Sequence, residues 1–226
     1  MELSDKQIKV RLCDQYLQIV SKSMSPNISL EELCRVSKIS HDRAKKIVPP
    51  NFVETFFFLK IYISKVDKEV LNDLKIELMD DDVSTVYDKI LEGITIRFEA
   101  FFKHKRALQI LSYGIDQRIE IFFKLLRENV YFMSNLLDIV ENESENFLLN
   151  KIKSIALNFV FIKALEKFLK DESTEIDTTI RLVDKYLTEI EDLGLMLGII
   201  KNSHKGSSKR TLNPPRGLSS NINSPP

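Results

Sequence analysis

The sequence predicts an all-α protein, and three observations carry that prediction. Glycine and proline are scarce, 6 and 7 in 226 residues, and gather where elements must end. Apolar residues recur at spacings of three and four, the period of a helix with one buried face. No Asn-Gly or Asp-Gly pair stands between alternating apolar runs, so the strongest short-range hairpin signal is missing. At 43% hydrophobic residues the chain can bury a sizeable core.

A first amphipathic helix is expected over residues 5–21, with Ile8, Leu12, Tyr16, Ile19 and Val20 at helical spacing. The segment SMSPN is a loop. Ser29 with Glu32 then fits a capping box, and Leu30, Leu33, Cys34 and Ile39 supply apolar contacts for a pair of crossing helices. Ser40 can start the second of these, which runs through His41, Asp42, Arg43, Ala44, Lys45, Lys46 and Ile47 until Pro49 and Pro50 forbid its continuation. Residues 28–50 therefore read as a helix-turn-helix closing a three-helix unit.

Asn51 and Glu54 look like another start signal, and a connecting helix is expected from there to about Leu74, apolar enough to pack on the N-terminal unit at one end and a second core at the other. After the acidic stretch MDDD, Ser84 is expected to cap a helix burying Tyr87, Ile90, Leu91, Ile94, Phe98 and Phe101. A short helix over 107–113 should stop at Gly114, and a long one should follow over 115–140. The polar loop ENESEN separates it from a helix over 147–170, whose centre IALNFVFIKAL is apolar around most of its circumference. A last helix over 176–193 carries Ile176, Ile180, Val183, Leu187 and Ile190 on one stripe. Beyond residue 200 the chain turns basic and rich in Ser, Pro, Gly and Asn, the composition of a disordered tail.

These last two helices hold more apolar surface than one subunit's core needs. A second copy across a two-fold axis is the simplest cover, with Phe161, Ile180, Val183, Leu187 and Ile190 at the interface. Phe98, Phe101, Phe122, Tyr131 and Phe159 are candidates to line a ligand cavity, since pockets are mostly apolar; the alternative is plain core. Arg97, Glu99, His104 and Arg106 are expected as exposed charges near a helix end.

No catalytic constellation is visible. His41, His104 and His204 are scattered, no pair of Cys or His has metal-ligand spacing, and neither a Gly-rich phosphate loop nor a Gly-x-Ser-x-Gly elbow occurs. The expectation is a non-enzyme without cofactor or metal. A formal net charge of +0 means that any contact with nucleic acid must be local. Cys13 and Cys34 read as small core residues of a reducing compartment. The N-terminus MELSDKQIKV lacks the apolar stretch of a signal peptide and no run reaches transmembrane length, so a cytoplasmic address is expected.

The order of elements and several stretches resemble the TetR family of bacterial regulators. ISLEELCRVSKIS is similar to the family's second helix and turn, and FFLKIYISKVDKEVL to its linking helix. RFEAFFKHKRAL, IKSIALNFVFIKALEKFLKDEST and TIRLVDKYLTEIED resemble a ligand-domain pattern of some members. The resemblance implies a helix-turn-helix domain over 1–50, a helical ligand-binding and dimerisation domain over 51–200, and a basic tail over 201–226. It implies a homodimeric regulator of double-stranded DNA, modulated by a small apolar effector such as a lipid or isoprenoid. Ser40, His41, Arg43, Lys45 and Lys46 would face the groove, with the two basic helices of a dimer about 34 to 36 Å apart. Lys38 stands where the family usually has Gly, and Lys45 and Val48 where it has aromatic residues. FLKDES and residues 179–187 also resemble a group of ubiquinone-biosynthesis lipid-binding proteins that share the fold without binding DNA.

Overall fold

The computed structural model describes residues 3–78, 81, 83–115, 118–141, 147–173 and 175–196. Among them every regular element is a helix: α1 Asp5–Ser23, α2 Leu30–Ser37, α3 His41–Ile47, α4 Phe57–Glu77, α5 Val86–Phe102, α6 Lys105–Ile115, α7 Ile119–Val140, α8 Phe147–Lys170 and α9 Asp177–Met196. None of these helices is long and apolar enough to cross a membrane. The expectations for the ENESEN loop and for the tail over 201–226 fall outside the described residues.

α1 starts with a reciprocal box. Ser4 Oγ accepts from the Gln7 amide at 3.3 Å, and Gln7 Oε1 accepts from the Ser4 amide at 2.8 Å. Its buried face, Ile8, Leu12, Cys13, Tyr16, Leu17 and Val20, packs against α2, α4 and α6. The Cys13 thiol donates to the Phe58 carbonyl at 3.2 Å, and burial, with Asp14 adding to it, pushes its pKa up to about 12. Such a thiol is a core group and a poor nucleophile.

In α2, Ser29 supplies one half of the expected box, accepting from the Glu32 amide at 3.1 Å. The turn that follows is made by Lys38, at φ 56° and ψ 43°, a left-handed conformation that costs an L residue about 1 kcal/mol and glycine almost nothing. Lys38→Gly is therefore expected to raise stability by about 1 kcal/mol, read as a higher urea midpoint. An unchanged or lower midpoint would mean that the lysine side chain compensates for its backbone. α3 is short. Ser40 occupies its N-cap, Ala44 is its one buried residue, and it closes at Val48, whose side chain is buried before Pro49.

The linking helix α4 begins at Phe57, later than the Asn51 signal suggests. Between them the chain turns: the Thr55 amide donates to the Asn51 carbonyl, the Phe57 amide to the Phe52 carbonyl, and Phe56 sits at φ 52°. The reason is aromatic burial. Phe52 and Phe56 are both inside, with Phe52 at 6.0 Å from Tyr16 and 5.3 Å from Phe58, and burying two such rings, about 2 kcal/mol each, exceeds the cost of one left-handed residue. From there α4 runs along α1 and on to α5 and α7, so it touches both units as expected.

α5 is capped by Thr85 rather than Ser84, because Asp88 lies in position to return the bond to Thr85. A Cβ at Gly93 would stand 2.7 Å from Leu136 Cδ1 and 2.9 Å from Leu74 Cδ1, so glycine lets α5 approach α7 and α4. Gly114 does not stop α6, which continues to Ile115. It makes room instead for the Phe56 ring, 3.0 Å from where its Cβ would be. α7 and α8 form a hairpin clamped by Lys153 to Glu141 at 2.9 Å and by Asn150, which accepts from Ser134 and donates to Asp138.

α9 lays its stripe on α8 and α5 of its own chain. Val183 and Leu187, expected at a subunit interface, are 0% and 4% exposed, and Ile180 and Ile190 are half-buried against the same core. Tyr87 of α5 pins the helix by donating to Asp184 Oδ1 at 2.7 Å. Phe161 is also interior, stacked on Phe98 at 4.9 Å. Periodicity had identified the apolar face but not what covers it. Large apolar side chains left exposed on these two helices are Phe147, Leu148, Ile152, Ile155 and Phe159 of α8 and Leu193 and Met196 of α9, and others stand on α7, at Ile119, Phe122, Phe123 and Tyr131.

Candidate functional site

Between α4, α5, α6, α7 and α8 lies a cavity of about 210 Å³. Leu59, Phe101, Leu108, Phe122, Leu125 and Leu165 are among its apolar walls, and Arg97 and Asn129 bring polar groups to it. Of its lining residues Phe122 of α7 is the most exposed, at 44%, and stands at the surface side of the cavity.

Arg97 is 1% exposed, a charge set wholly inside the bundle. Its Nε donates to Asp67 Oδ1 at 2.8 Å and its Nη2 to Asp67 Oδ2 at 3.1 Å, a bidentate pair. Its Nη1 donates to Asn129 Oδ1, and Asn129 Nδ2 donates in turn to Asn158 Oδ1. The guanidinium also lies over the rings of Phe132 and Phe161, at 4.0 and 4.4 Å from their centroids. One residue each from α4, α5, α7 and α8 thus makes a polar strap across the core. Burial lowers the Arg97 pKa, with Asp67 opposing the shift, and burial raises that of Asp67, with Arg97 opposing it. A guanidinium keeps its charge through such a shift, and both of its bonds to Asp67 end on carboxylate oxygens.

The structure corrects the expectation that Arg97 is an exposed helix-end charge. His104, expected with it, is half-buried, with its ring edge-on to Tyr62 at 5.2 Å, and burial lowers its pKa. Of the five aromatic residues proposed as lining, Phe101 and Phe122 do line the cavity. Phe98 lies in the packed core against Phe161 and Phe168, Tyr131 stands exposed beside a separate α4–α7 groove, and Phe159 points outward from α8. Phe159 and Phe161 are two residues apart on a helix, so both cannot face inward. Asp67, Asn129 and Asn158 were missed. A signal was available only for Asn158, a single polar residue inside the apolar run IALNFVFI.

On α3 and the residue before it, Lys45, Lys46 and Ser40 are exposed and His41 is half-buried. Arg43 is half-buried too, because its Nη2 reaches back to donate to the Leu3 carbonyl ahead of α1. It fastens the unit rather than standing out from α3. Among the described residues no group of three or more His, Cys, Asp and Glu lies close enough to hold a metal ion. No protein-family model matches the chain, and no curated protein matches it.

Proposed function

We propose that the chain is a binding protein for an apolar ligand on a TetR-like scaffold, similar in role to the ubiquinone-biosynthesis lipid-binding proteins that its later helices resemble. The observation that carries this reading is the cavity between α4 and α8 with a buried arginine in its wall. Its apolar walls suit a hydrocarbon. Its volume, about 210 Å³, takes one end of a longer molecule, whose remainder leaves on the side of Phe122. The protein acts as a homodimer joined through the exposed Leu148, Ile152, Ile155 and Phe159 of α8, with Leu193 and Met196 of α9.

The second reading is a TetR-like regulator of double-stranded DNA. Exposure of Ser40, Lys45 and Lys46 on and before α3 favours it, since hydroxyl and cationic groups at the start of a recognition helix reach base edges and phosphates. The inward use of Arg43 and the zero net charge favour the first reading.

One preparation separates them. Protein purified without detergent is extracted with organic solvent for mass spectrometry, and a second portion is incubated with sheared genomic DNA at moderate salt. A stoichiometric apolar compound with no enriched fragment is the expected result. Enrichment of one palindromic site, lost at high salt, would replace the first reading with the regulator. Protein that holds neither ligand nor a DNA site would sink both.

A further inference from the structure

Arg97 has more hydrogen-bonding capacity than the protein uses. A guanidinium carries five N–H donors. Two go to the Asp67 carboxylate and one to Asn129. The remaining two, one on each terminal nitrogen, have no acceptor among the described residues, although the side chain is 1% exposed and lines the cavity. Asn129 also lines the cavity and keeps a second amide hydrogen beyond the one given to Asn158. Each Arg97 nitrogen has one partner, and the hydrogens left over belong to a side chain in the wall of a space lined elsewhere by hydrocarbon, apart from the Ser112 hydroxyl, which donates to the Gln109 carbonyl. The cavity thus offers donors at one place, on Arg97 and Asn129.

Charge narrows the ligand further. Asp67 already neutralises Arg97, so a carboxylate or phosphate entering the cavity would bring an uncompensated negative charge into a desolvated site. A neutral acceptor carries no such cost. Size sets the scale: an apolar cavity of about 150 Å³ takes benzene, so about 210 Å³ takes a substituted ring or a group of similar bulk.

We propose that the group entering this cavity is a neutral carbonyl, its oxygen accepting from Arg97 and Asn129 and its hydrocarbon part lying against Leu59, Phe101, Phe122 and Leu165. This rests on the reading of the cavity as a ligand site and adds which chemistry it selects. Arg97 and Asn129 are the specificity determinants, and Asp67 positions Arg97 and cancels its charge.

The test uses the full chain and three probes of one shape: acetophenone, α-methylstyrene with a methylene in place of the oxygen, and benzoate. Dissociation constants come from amide shift titrations by NMR. Acetophenone is expected to bind about tenfold or more tightly than α-methylstyrene, the discrimination of a hydrogen bond to a charged donor, and more tightly than benzoate. In Arg97→Met with Asp67→Leu, which replaces the ion pair by hydrocarbon, acetophenone and α-methylstyrene should bind alike. Equal binding of those two probes to the unaltered protein would overturn the carbonyl assignment while leaving a ligand cavity. Tighter binding of benzoate would overturn the neutral-ligand argument. Failure of all three to bind would overturn both the assignment and the cavity reading beneath it. The ranking on the unaltered protein decides the matter even if the double variant does not fold.

Discussion

Arg97→Met is expected to destabilise the protein by about 3 to 5 kcal/mol, while the same change combined with Asp67→Leu should recover most of that loss. Truncating Arg97 alone leaves Asp67 as a carboxylate facing the interior without its partner, and leaves Asn129 Oδ1 without a donor. Removing both charges eliminates the unpaired carboxylate, the larger part of that penalty, and substitutes hydrocarbon among Phe101, Phe132 and Phe161, while Asn129 Oδ1 stays without its donor. Urea unfolding followed by circular dichroism measures each. A single variant as stable as the unaltered chain, or a double variant no better than the single, would show that the pair is not the unit described.

The second large effect contrasts two faces of the C-terminal helices. Ile155→Asp with Phe159→Asp should leave the circular dichroism spectrum unchanged and convert a dimer to a monomer in light scattering, because both side chains are more than half exposed on one subunit. Val183→Asp should instead unfold the chain, at a cost of about 4 kcal/mol or more, since it places a carboxylate at a position 0% exposed. A folded monomer from Val183→Asp would return the interface to the α9 stripe. A dimer that survives the α8 pair would place the interface elsewhere.

How far the sequence could be read depended on whether the evidence was local. The bounds of α8 follow from its flanks, and Phe147 and Lys170 are where the structure puts them. The helix class of the described residues was equally legible, because spacing of three and four is a property of each segment by itself. Legibility failed where a distant partner decided. Asn51 and Glu54 have the composition of a helix start, yet the turn there exists to bury Phe52 and Phe56 against elements elsewhere in the chain. Gly114 reads as a stop, and its use is to admit the Phe56 ring. For the site, Phe101 and Phe122 were within reach of an argument from aromatic content, whereas Arg97 was not. Its burial is tolerable only because Asp67 and Asn129 arrive from other helices, and no local pattern announces that.

The strap of Asp67, Arg97, Asn129 and Asn158 has a consequence for the order in which the chain assembles. Asp67 and Arg97 lie on α4 and α5 and can meet early, but with only those helices in place their charges still face water. The hairpin of α7 and α8 brings both asparagines and two of the rings that lie against the guanidinium, Phe132 and Phe161. Burial of the pair therefore depends on that hairpin, which also closes the cavity's α7 and α8 walls. A chain truncated before α8 is expected to leave the ion pair wet and those apolar walls uncovered, and to aggregate.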